Sequence, residues 1–265
     1  MNRLLLDTRG DIPFPEAQMT IHQPTLKEIG LIGEESFLLG CQFLDFSKEK
    51  FSEEDKKHLI DKTNFEVLMS VISDKKNKAI QQGKASAMMV LLLMFPEYEI
   101  NIIPSGFLFR KQKGEETESH FIDKNNYEVF KVILSDMFCL KELRGTATGK
   151  TYNPGGPMAK QLAEKFRKRH EKLAQMKSGG QAGSEGLNLF SRYISILAVG
   201  EHKSKNELAQ YSVYQLFDEF KRFQKEQEYR TWLKLKTTFG AKDVKDVDNW
   251  MEDLYTPSTS NELMV

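Results

Sequence analysis

The sequence predicts an α+β fold that is predominantly α, with mixed helices and a small antiparallel β-sheet in the N-terminal part and a helical C-terminal part. Three observations carry this reading. Helix-opening capping patterns recur along the chain; short β-type runs cluster between residues 99 and 122; and aromatic side chains at three- and four-residue spacing fill residues 211–239.

Taken in order, Met19-Thr-Ile-His-Gln23 alternates and ends at Pro24, which predicts a short edge strand. Thr25-Leu-Lys-Glu28 is a capping box, in which hydroxyl and carboxylate each satisfy a free backbone donor, and it opens a helix through Ile29, Ile32 and Phe37. Ser52, Thr63 and Asn125 each lead an acidic residue in the same way and predict three further helix starts. Glu99–Ile103 and Phe107–Lys111 flank Pro104-Ser-Gly106, and Ser119–Ile122 follows, so this stretch reads as a small antiparallel sheet before a helix at Tyr127–Met137. In the C-terminal part the spacing predicts helices over 157–177 and 187–199. The longest helix opens at the capping box Ser212-Val-Tyr-Gln215, runs past Trp232 and Leu235, and stops at Gly240.

Charge and punctuation divide the chain. Lysine plus arginine and aspartate plus glutamate each number 38 in 265 residues, yet residues 1–143 hold 18 basic and 23 acidic side chains, leaving 20 and 15 for the rest. Glycines and prolines from Gly145 to Pro157 and from Gly179 to Gly186 mark soft stretches. The expected organisation is a mixed domain over 1–143, a linker with a basic amphipathic helix over 144–186, an aromatic-rich helical module over 187–255 and a mobile tail over 256–265. Cys41 and Cys139 cannot build a disulfide framework. The longest apolar run, Met88–Phe95, is well short of the roughly 20 residues that cross a bilayer. With no signal-peptide pattern at the start, the expectation is a soluble cytoplasmic protein with no membrane contact.

Little in the sequence announces chemistry. Gly145-Thr-Ala-Thr-Gly-Lys-Thr151 ends like a phosphate-binding loop, but three residues rather than four separate Gly145 from Gly149, and Pro154 and Pro157 follow where the cradling helix belongs. It reads as linker. The histidines are scattered, and both cysteines sit among apolar residues, the setting of inert buried thiols. No catalytic residue, metal ligand or cofactor is expected, and the chain is not expected to be an enzyme.

Two features admit a binding role. Between Lys160 and Lys177 seven basic residues stand against two glutamates; Lys165, Arg167, Lys168, Arg169 and Lys172 either track nucleic-acid phosphates or form the solvated face of a docked helix, and the absence of a recognisable binding module favours the second. The other feature is aromatic density. Tyr211, Tyr214, Phe217, Phe220, Trp232 and Trp250 are candidates for a partner surface, with burial in a core as the competing reading.

The stretches Leu189-Phe-Ser-Arg-Tyr-Ile-Ser-Ile-Leu-Ala-Val199, Tyr211-Ser-Val-Tyr-Gln-Leu-Phe-Asp-Glu-Phe-Lys-Arg-Phe223 and Asp246-Val-Asp-Asn-Trp-Met-Glu-Asp-Leu254, with Phe121–Ile133, resemble bacteriophage tail proteins of the assembly-chaperone kind. The resemblance spans about half the chain and rests on packing motifs. It implies a non-enzymatic protein in the host cytoplasm that binds a tail protein, such as the helical tape measure, before assembly. A structural component of the tail or baseplate, or a homo-oligomer, is also compatible with it.

Overall fold

A computed structural model describes residues 3–48, 59, 61–74, 76–114, 116–145, 188–239 and 251. The expected helix start at Ser52, most of the linker, the basic helix, Trp250 and the tail lie outside these residues. The described elements run α1 (Arg3–Asp7), β1 (Ile12–Phe14), β2 (Met19–Ile21), α2 (Leu26–Ile32), α3 (Glu34–Leu44), α4 (Asn64–Ile72) and α5 (Lys78–Met94). They continue as β3 (Glu99–Ile103), β4 (Gly106–Lys113), β5 (Glu116–Ile122), α6 (Tyr127–Met137), α7 (Leu140–Gly145), α8 (Leu189–Gly200), α9 (Lys205–Leu208) and α10 (Val213–Phe239). The fold is α+β and predominantly α.

The centre is the crossing of α3 and α5. Phe37, Gly40, Cys41 and Leu44 form one buried stripe, and Gly83, Ala87, Val90, Leu91 and Met94 form the facing one. The helices meet so closely at Gly40 that a Cβ there would lie 2.4 Å from the Ser86 carbonyl oxygen. Gly33, with φ +84°, ends α2 and turns the chain directly into α3.

Around this pair sit two antiparallel sheets, β1–β2 and β3–β4–β5. In the larger one Phe109 lies between Ile100 and His120, and Phe107 between Ile102 and Ile122. That face packs inward, since Phe107, Phe109 and Ile122 are buried. Helix α6 closes the core with Tyr127, whose hydroxyl donates to the Leu44 carbonyl at 2.8 Å and whose ring lies 5.2 Å from Phe65.

Thr25–Glu28 and Thr63–Glu66 form capping boxes as expected. Asn125 does not. Asn126 stands before α6 without capping it, because its Oδ1 accepts from the Asp123 N–H and its Nδ2 donates to the Phe121 carbonyl, both at 2.9 Å. Glu128 meanwhile accepts from Asn64 and Lys131 rather than reaching back to the backbone. The asparagine is used to tie strand to helix.

Gly40→Ala is expected to destabilise the protein by roughly 1–3 kcal/mol, because backbone must move to admit the methyl group. Gly30→Ala, on an exposed face of α2 with nothing within 4 Å of the added carbon, should stabilise by about 0.5–1 kcal/mol. Urea unfolding of the two variants beside the parent checks both signs.

Candidate partner-binding surface

The C-terminal helices are seated on the N-terminal part through its helix ends. Every helix leaves its first N–H groups without intrahelical acceptors. In α2, the Leu26 N–H donates to the Tyr211 carbonyl and the Lys27 N–H to the Ala209 carbonyl, each at 2.8 Å. The Thr25 N–H donates to Glu28 and the Glu28 N–H to the Thr25 hydroxyl, which completes the set. Thr25 also forms an antiparallel bridge with Ser212, the cap of α10, whose hydroxyl accepts the Gln215 N–H while the Gln215 amide accepts the Ser212 N–H. Two capping residues are thus joined back to back.

Other contacts repeat this pattern. Gln215 donates to the Asp7 carbonyl at 2.7 Å, and Arg3 donates to the Tyr214 hydroxyl at 2.9 Å. Helix α8 has no local side-chain cap, and Glu34 at the start of α3 accepts the Phe190 N–H at 3.1 Å instead. Burial pushes the Glu34 carboxyl above its ordinary range, and the backbone donors of α8 oppose that rise.

An aromatic chain runs inward from α10. Phe220 stacks on Tyr193 at 3.9 Å, Tyr193 and Phe190 both touch Phe217 edge-on, Phe190 lies 5.9 Å from Phe37, and Phe37 lies 4.8 Å from Phe138. Tyr214 and Phe217, two of the sequence-predicted surface residues, are therefore core: their exposures are 5% and 3%. Their rings fill the space between α8, α1 and the body, which takes them out of any exposed groove. Phe220 is half-buried in the stack, and Tyr211 is half-buried with Lys203 Nζ 5.5 Å from its ring centre.

Lys203 also binds Glu201 at 2.9 Å and Glu219. Burial disfavours its charge, but the hydrogen bonds to the two carboxylates outweigh burial and raise its pKa. Beside it, Asp7, Tyr211, Gln215, Asp218, Glu219 and Arg222 line a cleft of about 410 Å³. Three carboxylates and one guanidinium line the cleft; Asp218 is bridged to Arg222 at 2.9 Å, and Glu219 binds Lys203 beside it.

Beyond Phe223, the last of the described α10 side chains packed against the core, the helix continues for about 24 Å at 1.5 Å per residue. This distal half carries Trp232, together with Tyr229 and Leu233, which the sequence reading did not select. Tyr229 and Trp232 are half-buried and their rings are 5.3 Å apart; Lys236 Nζ sits 4.3 Å from the Trp232 ring; Leu233 is 42% exposed. The i, i+3 and i, i+4 spacing of these residues from Tyr229 was the signal available. Trp250 and the basic residues Lys165, Arg167, Lys168, Arg169 and Lys172 lie outside the described residues.

Chemistry elsewhere is sparse. Burial raises the Cys41 thiol well above its ordinary pKa, which leaves it protonated and a poor nucleophile. Among the described residues, no three of His, Cys, Asp and Glu converge to hold a metal, and no helix is long and apolar enough to cross a membrane.

Residues 181–255 match a family model described as the YomV second domain, and YomV is a phage-derived protein of a Bacillus prophage. The match covers α8, α9 and α10 and associates this part of the chain with bacteriophage. No curated protein and no solved structure matches the chain.

Glu34→Ala is expected to cost about 1 kcal/mol through the lost cap of α8. Glu34→Gln keeps an acceptor oxygen and should cost less. The raised carboxyl pKa contributes stability that is present below the ordinary glutamate pKa and lost as pH rises through the folded value. Glu34→Gln should therefore remove part of the stability change across that window, which denaturant titrations from acid to neutral pH measure.

Proposed function

We propose that this chain is a non-enzymatic bacteriophage tail assembly protein, a chaperone that binds an apolar helical segment of a tail protein, such as the tape measure, in the host cytoplasm before assembly. The observation that carries the reading is the division of α10. Its first three turns are locked into the core by Val213, Leu216 and Phe217, whereas Tyr229, Trp232 and Leu233 lie beyond the last core contact among the described side chains of the same helix. Helix-in-groove recognition uses anchors at this spacing, and Trp and Tyr are the side chains most often dominant in such contacts. The match of residues 181–255 to a phage-derived domain supports the setting.

The test is affinity capture from phage-infected cells together with mass spectrometry of purified particles. A chaperone is captured with a tail protein and is absent from particles. Presence at fixed copy number in particles would make it a structural tail or baseplate component, and retention on nucleic acid at low salt without a captured protein would shift the reading to the basic segment. Trp232→Ala combined with Leu233→Ser is expected to reduce capture at least about tenfold while leaving the unfolding transition near that of the parent, since each removes a side chain remote from the core. Phe217→Ala should instead cost about 3–5 kcal/mol of stability. If the double variant unfolds and Phe217→Ala does not, the assignment of core and surface along α10 is reversed.

A further inference from the structure

A cleft of about 530 Å³ opens at the β5 edge of the three-stranded sheet, and no residue of α10 lines it. One wall is the end of β5, with Ser119, His120 and Phe121; the other is the tight turn Pro15–Gln18. That second wall is held by a hydrogen bond from the Gln18 N–H to the Pro15 carbonyl at 3.0 Å, with Gln18 itself in the left-handed region at φ +54°.

Strand β5 is an edge strand, because the sheet order is β3–β4–β5. In an antiparallel ladder successive residues address alternate edges with both their N–H and C=O groups. The Phe121 carbonyl accepts from Asn126 Nδ2, not from β4, so Phe121 faces the open edge. Ser119, two residues earlier, faces it too. Among the described residues, nothing bonds the outward Ser119 N–H and C=O, and the Phe121 ring beside them is 43% exposed.

The charge of the cleft is one-sided. Glu16 and Asp123 line it, and no described lysine or arginine does. The Asp123 carboxylate accepts two hydrogen bonds from Asn125, and buried Asn126 ties the cleft floor to β5.

We propose that this cleft is a second interaction site, which takes an extended basic segment of a partner protein as an added strand on β5. Main-chain pairing with Ser119 supplies the binding, a side chain of the guest covers Phe121, and a lysine or arginine of the guest meets Glu16 and Asp123. A strand edge left open beside an exposed aromatic ring is the kind of template proteins otherwise block, and the two walls restrict it to a single guest strand. The site is independent of the distal half of α10 and stands whether or not that helix binds a tail protein.

The test uses the full chain and a fluorescein-labelled peptide of alternating valine and lysine, read by anisotropy. Binding is expected, and it should weaken at least about tenfold in Ser119→Pro, because proline removes the outward donor yet is tolerated on an edge where the N–H faces away from the neighbouring strand. A peptide of alternating valine and glutamate should bind at least about tenfold more weakly than the lysine peptide. Circular dichroism reports whether Ser119→Pro keeps the fold. Should it not, a lysine peptide methylated at its central backbone nitrogens replaces it, and loss of binding is again expected. Absence of binding to the parent chain, unchanged binding after both backbone blocks, or equal binding of the glutamate peptide would overturn the proposal.

Discussion

The organisation of this protein depends on how the first turn of α2 is completed. Its N–H groups need acceptors that no residue of the N-terminal part except Thr25 and Glu28 supplies, and the remaining two come from the Ala209 and Tyr211 carbonyls. A buried backbone donor left unpaired costs about 1–3 kcal/mol. Leu26 is buried and Thr25 is only 4% exposed, so the acceptors matter there. The segment 209–212 therefore completes a helix more than 180 residues earlier in the chain, and the Thr25–Ser212 bridge fixes where α10 begins.

That start position determines which residues of α10 are core and which are not. The carbonyls of residues 209 and 211 must arrive in register, and the preceding loop is built to deliver them. His202 takes the left-handed conformation at φ +58° to end α8, and Lys203 ties Glu201 to Glu219 across the loop. With the loop pinned, Val213, Leu216 and Phe217 fall inward, Phe220 stacks on Tyr193, and the helix leaves the body after Phe223. A rigid helix anchored at one end loses little conformational freedom when its other end is bound, which suits it to present Trp232 and Leu233.

Elements governed by local chemistry were legible in the sequence. The capping boxes at Thr25, Thr63 and Ser212 involve residues three apart, and each is formed. The hairpin at Pro104-Ser105 and the antiparallel run of β3, β4 and β5 were legible for the same reason. The candidate surface was less so. Tyr214 and Phe217 share the composition of a partner surface with Tyr229 and Trp232, and what separates the pairs is contact with Arg3, Phe190 and Tyr193. Arg3 to Tyr214 and Glu34 to Phe190 span 211 and 156 positions, and no periodicity encodes such pairings. Asn125 failed as a helix cap because neighbouring Asn126 serves the Phe121 carbonyl instead, a choice made by the strand beside it.

The same physics explains why glycine rather than alanine stands where helices are closest. At Gly40 the α3 backbone approaches the Ser86 carbonyl, at Gly83 that of α5 approaches the Phe43 ring, and at Gly200 the end of α8 approaches the Phe223 ring. The first two set the spacing of α3 and α5, against which Phe37 is held; the third sets the spacing of α8 and α10 where the latter leaves the core. Phe37 touches Phe190, and Phe190 touches Phe217, so the two spacings are linked through one run of rings. Close-packed interiors transmit displacement rather than absorb it. A change in helix spacing at Gly40 is therefore expected to reach α10 through Phe37 and Phe190, which makes the direction of its distal half a property of the whole core.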